Sequence, residues 1–152
     1  MIASAYVVKR RWTRITTLAA SGALALAVLT ACSTAVQVRA PDITPACEPV
    51  LASAPINLLG ELQRETSPSE VAAIAWGDPA IVLACGVDPA STINAQVIVV
   101  DGIEWVAEPA GVDGADGTVF TTFDSQPVLQ LRVPAHYRPE IDAVAELSAA
   151  LS

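Results

Sequence analysis

From residue 96 to residue 133 the chain alternates short apolar runs with polar breaks that carry glycine or proline, the pattern of strands joined by turns. Gln96-Val97-Ile98-Val99-Val100 and Ile103-Glu104-Trp105-Val106 are separated only by Asp101-Gly102. Both central residues of a two-residue type I′ loop take positive φ, which Asp and Gly tolerate, so this spacing predicts a hairpin. Residues 118–123 and 128–133 flank Asp124-Ser125-Gln126-Pro127 and predict a second hairpin, with the Asp- and Gly-rich residues 111–117 linking the two. Residues 81–87, bounded by Gly77-Asp78-Pro79 and Gly86, read as a buried strand. Residues 71–76 read either as its partner or as the end of a helix.

Helical spacing occurs at both ends of this region. Val50, Leu51, Ala54, Leu58, Leu59 and Leu62 recur near a 3.6-residue period, with Pro45 ahead of them and Pro55 interrupting, which predicts a helix over residues 47–62 in one or two pieces. Beyond Pro139, the apolar residues Ile141, Val144, Leu147 and Leu151 form the stripe of an amphipathic helix. The expected architecture is α+β: an antiparallel sheet of about five strands, an N-terminal helical segment, a C-terminal amphipathic helix and one disulfide. No internal repeat is visible.

The start of the chain has a different character. Lys9, Arg10, Arg11 and Arg14 precede the uncharged, apolar residues 15–31, the layout of a secretory leader. A membrane-spanning helix needs roughly 20 apolar residues, and this run is shorter and diluted by Thr16, Thr17, Ser21 and Thr30, so an uncleaved anchor is the second choice. The run ends in Leu29-Thr30-Ala31-Cys32, which resembles the lipobox of bacterial lipoproteins, where the cysteine receives diacylglycerol. The reading is a signal peptide over residues 1–31, lipidation at Cys32, a flexible tether over residues 32–44 that contains Pro41, and a single domain over residues 45–152. Such a protein is exported and held through lipid at the outer face of the cell membrane. Cys47 and Cys85 then remain in an oxidising compartment and are expected to pair; a redox pair or a metal site is the alternative use of the two thiols.

Charge narrows the partners. Sixteen acids and four arginines follow Cys32, with no lysine, a net charge of −12 for that part of the chain. Nucleic acid is excluded as a partner, because a phosphate backbone is bound by clustered Lys and Arg. Attachment to the membrane falls to lipid rather than to a basic patch, and an envelope protein is the expected further partner.

Catalytic motifs are missing. The sole histidine, His136, lies between Pro134 and Pro139 in a turn-like segment with no nucleophile motif near it. Glu104, Glu108, Asp113, Asp116 and Asp124 fall at turns or alternate outward, so no carboxylate pair is predicted to face a cleft. Asp113-Gly114-Ala115-Asp116-Gly117 superficially resembles a calcium loop but lacks its twelve-residue spacing and terminal Glu. Trp76 and Trp105 could line a groove, because aromatic faces bind sugars and apolar groups, although the apolar neighbours of both favour core packing. The candidate ligand residues are therefore Trp105, Asp113, Asp116 and Asp124, with no catalytic residue, no metal site and no cofactor predicted. The expected function is a non-catalytic binding or scaffolding module; a small-ligand or ion carrier, and a cell-wall or lipid hydrolase, are the alternatives.

Several motifs carry a resemblance in combination: Pro45-Ala46-Cys47, Ala75-Trp76-Gly77-Asp78-Pro79, Cys85-Gly86-Val87, Asp101-Gly102-Ile103-Glu104-Trp105, Phe120-Thr121-Thr122 and Val133-Pro134. Together they resemble an actinobacterial domain-of-unknown-function family, numbered 3515, of small secreted or membrane-anchored proteins. The resemblance covers residues 45–151 and implies an envelope location and a paired Cys47 and Cys85. It implies no activity. The family pattern places basic residues near Ala84 and Ser125, and this sequence has neither.

Overall fold

A computed structural model describes residues 34–91 and 95–152. The leader and Cys32 lie outside the described residues. The chain forms, in order, β1 (Val36–Gln37), α1 (Glu48–Ser53), β2 (Asn57–Leu58), β3 (Glu61–Arg64), β4 (Thr66–Ser67), β5 (Ala73–Trp76), β6 (Ile81–Cys85), β7 (Gln96–Val100), β8 (Ile103–Ala110), β9 (Gly117–Thr122), β10 (Leu129–Val133) and α2 (Ile141–Leu151). Eight strands make one antiparallel sheet in the order β2-β3-β5-β6-β10-β9-β8-β7, and β1 pairs in parallel with β4 beside it.

The molecule is richer in strand than the sequence pattern suggests, with eight strands in the sheet rather than five. Much of the difference lies in residues 47–62. Only Glu48–Ser53 is helical; Asn57–Leu58 and Glu61–Arg64 are a hairpin around Leu59-Gly60. Leu58 is fully buried while Leu62 is 63% exposed, so the leucines do not share one helical face. Both turn residues have positive φ, 53° at Leu59 and 80° at Gly60, matching the 47° and 82° at Asp101 and Gly102 in the hairpin the sequence predicts. The choice left open for residues 71–76 resolves as β5, paired with β6 through Ala73↔Ala84 and Trp76↔Ile81.

Helix α2 touches both β2 and β7, the two ends of the strand order, so the sheet curves around it. The concave side holds the core: Trp76, Ile81, Leu83, Trp105 and Leu131 from the strands meet Val144 and Leu147 from the helix, all fully buried. Period-two alternation selects these positions, as Ile81, Leu83 and Cys85 on β6 and Leu129, Leu131 and Val133 on β10 show.

On the convex side a smaller cluster gathers Val38, Val71 and Ala73, with Val36, Ala40 and Val82 packed against it. Residues 34–42, expected to be a loose tether, are part of the fold. Val36 and Val38 donate backbone hydrogen bonds to Glu65 and Ser67 at 2.8 and 3.0 Å, Val38 is 8% exposed, and Asp42 bridges to Val71. The cause is packing: Val36, Val38 and Ala40, at strand spacing, lie against Val71, Ala73 and Val82 on the sheet. Pro41 does not prevent this, because an extended segment at the margin of a sheet needs few ladder donors.

Candidate functional site

The residues singled out by the sequence do not converge. Trp105 is fully buried, and its indole Nε1 donates to Ser148 Oγ on α2 at 3.1 Å, so it is a core residue and lines no groove. Asp113 and Asp116 share the loop between β8 and β9, where Asp113 has φ 52°. Asp124 lies beyond the other end of the six-residue β9, about 20 Å along the strand at 3.4 Å per residue. The three carboxylates thus cannot share one ion, and among the described residues no group of three His, Cys, Asp or Glu is placed to hold a metal. His136 is exposed on a short 3₁₀ turn.

The cysteine expectation holds. Cys47 and Cys85 form a disulfide with Cα atoms 5.8 Å apart, both fully buried, joining the residue before α1 to the end of β6. This leaves neither thiol for metal binding.

A different site appears when the four arginines after Cys32 are followed to their partners. Arg64 donates to the carbonyls of Gly77 and Thr34, both at 2.8 Å, and stands 3.9 Å from Asp78. Arg138 donates to the Gly114 carbonyl at 3.0 Å and to Glu140 at 3.3 Å. These two fasten loops. Arg39 and Arg132 make no side-chain hydrogen bond or ion pair among the described residues, are exposed, and line the same groove on the convex face.

The register explains how they meet. Arg132 on β10 lies opposite Val82 on β6, and Gln130 opposite Ala84, so both β10 side chains stand on the convex face beside a floor of small apolar residues. The docked residues 36–40 run along the other side and contribute Gln37 and Arg39. The result is a groove of about 450 Å³ with Val82 and Ala84 beneath it and an arginine and a glutamine on each wall. Gln130 Nε2 donates to Thr121 Oγ1 at 3.4 Å, which steadies that amide. The row through Arg132 continues over Val119 to Glu108 on β8, two strand spacings or about 10 Å away, too far for an ion pair. Two guanidiniums above an apolar floor are equipped to hold an oxyanion through paired N–H donors.

Sequence reasoning missed Arg39, Arg132, Gln37 and Gln130. The one available signal was scarcity: each cation in so acidic a chain invites the question of what it pairs with. That two of them line one groove, 93 positions apart, depends on the β6–β10 register and on the docking of residues 36–40.

A model for a family described as "Protein of unknown function (DUF3515)" matches residues 15–152. No curated protein matches the chain, and no solved structure matches it.

Proposed function

The chain belongs to the DUF3515 family of proteins of unknown function, and from that premise we propose that it is an exported, lipid-anchored, non-catalytic binding module of the cell envelope. Residues 1–31 serve as the leader, Cys32 carries the lipid, and the convex face with the Arg39–Arg132 groove is the binding surface. The observation that carries this reading is the buried Cys47–Cys85 disulfide. Disulfides form and persist in oxidising compartments, so the bond agrees with export, which the leader and the Leu29-Thr30-Ala31-Cys32 motif indicate independently. Two or three acyl chains on Cys32 give stable anchoring, each buried CH₂ contributing about 0.8 kcal/mol.

Intact mass of the protein from native membranes, with and without reduction and alkylation, tests the reading against Cys32→Ala. The expected wild-type mass starts at Cys32, includes acyl groups, and gains two alkylated thiols only after reduction. An unacylated chain, or thiols that alkylate without reduction, would sink it.

A further inference from the structure

We propose that the convex-face groove between Arg39 and Arg132 is a binding site for a phosphate group. The site itself stands on geometry alone; the suggestion of where the phosphate comes from rests on the lipid-anchored reading above.

Three observations lead there. Arg39 and Arg132, without side-chain partners among the described residues, face one groove, although sixteen carboxylates share the chain with them. They stand on opposite walls, one on a docked N-terminal segment and one on a central strand, with Gln37 and Gln130 beside them. A carboxylate offers two oxygens in one plane, whereas a tetrahedral phosphate spreads three or four in space and can accept from guanidinium forks on two opposing walls at once. The rest of the surface then acts as a filter. The net charge of −12 after Cys32 repels extended polyanions, so the groove suits one compact anion whose charge two arginines can neutralise.

The position of the groove suggests a source. Val36 is four residues from Cys32, and an extended chain covers at most about 3.6 Å per residue. An anchor on Cys32 therefore holds the start of the docked segment within about 15 Å of the lipid-bearing residue, close to phospholipid headgroups. A soluble phosphate of the envelope space offers the same chemistry.

The test is calorimetric titration of the full-length protein in neutral detergent micelles with inorganic phosphate. Saturable binding is expected. Arg39→Gln and Arg132→Gln should each weaken it about tenfold or more, and the double variant should abolish it, since charge-assisted hydrogen bonds are the strong ones. Arg132→Lys keeps the charge but not the fork and should fall between wild type and Arg132→Gln. Sulfate should compete and acetate should not. Each variant is checked for a native circular dichroism spectrum and the absence of free thiol, so that loss of binding reports the groove. Absence of saturable binding by folded wild type up to about 10 mM phosphate, a limit corresponding to a negligible affinity, would overturn the proposal. So would undiminished binding by the double variant, or acetate competing as well as sulfate.

Displacement of phosphate by dihexanoyl phosphatidylglycerol would assign the site to a lipid headgroup, and displacement by glycerol 3-phosphate alone to a soluble ligand; both uphold a phosphate site. Cys32→Ala should bind phosphate as wild type does. Failure of the anchor and failure of the groove are thereby read from separate measurements.

Discussion

Glu146 Oε2 on helix α2 accepts a hydrogen bond from the backbone N–H of Leu59 at 2.9 Å, across 87 positions of sequence. Leu59 has φ 53°, a left-handed conformation that carries a penalty of roughly 1–2 kcal/mol for a residue with a Cβ. The carboxylate helps hold the β2–β3 turn in that conformation. Glu146→Ala should destabilise the fold by about 1 kcal/mol, less than a buried charge-assisted bond contributes because the pair is exposed. Urea denaturation and faster amide exchange at residues 57–62 would show it; unchanged exchange there would count against the clamp.

Trp105 and Ser148 form the corresponding buried contact. Ser148→Ala strands the indole N–H in the core, and an unsatisfied buried donor costs about 1–3 kcal/mol. The prediction fails if chemical denaturation finds Ser148→Ala as stable as wild type.

The disulfide spans 38 positions. Chain-entropy estimates for a loop of that size give about 4 kcal/mol. The Cys47→Ala, Cys85→Ala double variant should lose roughly that much stability, and wild type in reductant should behave likewise. A midpoint that does not respond to reductant would argue that the bond closes little of the unfolded chain.

Gly77, Glu61 and Tyr137 crowd one corner. The Tyr137 hydroxyl donates to the Pro79 carbonyl at 2.8 Å, and a Cβ on Gly77 would collide with that hydroxyl and lie 2.8 Å from Glu61 Cγ, at a φ of 68°. Gly77→Ala is expected to cost about 2 kcal/mol or more from backbone strain and overlap together. Partial burial and then the neighbouring Glu61 carboxylate raise the Tyr137 pKa above its ordinary 10.0. The unfolded chain then releases this proton first as pH climbs, so stability is fully present below pH 10 and declines above it. Tyr137→Phe should remove that alkaline decline, as followed by denaturation between pH 8 and 11; an unchanged slope would assign it to other groups.

Val38 reports on the docked segment. Val38→Ala removes two methyl carbons from the convex cluster, about 1.5 kcal/mol at 0.8 kcal/mol per carbon. The amides of Val36, Val38 and Ala72, which donate to Glu65, Ser67 and Pro41, should exchange faster in this variant. If stability and exchange are both unaffected, residues 34–42 are a tether after all and the Arg39 wall of the groove is lost with them.

The two positive-φ hairpins show which parts of this fold are legible in the sequence. Asp101-Gly102 carries its turn conformation in its own residues, and alternating apolar positions on both sides complete the signal. Leu59-Gly60 adopts similar angles at its two turn residues, yet leucine has no intrinsic preference for them, and the spacing of Leu58, Leu59 and Leu62 imitates a helix. The candidate site divides in the same way. Cys47 and Cys85 are identifiable as a pair because few thiols remain after Cys32, whereas the tryptophan and aspartates named as candidate ligand residues are conspicuous by type and do not come together in space.

What the sequence determined by itself is local or arithmetic: the strands from residue 81 onward, the Asp101-Gly102 turn, the amphipathic α2, the acidic balance and the disulfide partners. These follow from side-chain periodicity, from φ preferences and from counting, none of which needs a partner at long range. Tertiary structure decided the β2–β3 hairpin, the docking of residues 34–42 and the placement of Arg39 and Arg132 along one groove. Each of these is held by contacts between segments distant in the chain: a glutamate on α2, the apolar cluster of Val71, Ala73 and Val82 beneath residues 36–40, and the register between β6 and β10. Such contacts gain their energy only once the sheet has curved around its helix, so no window of sequence contains them.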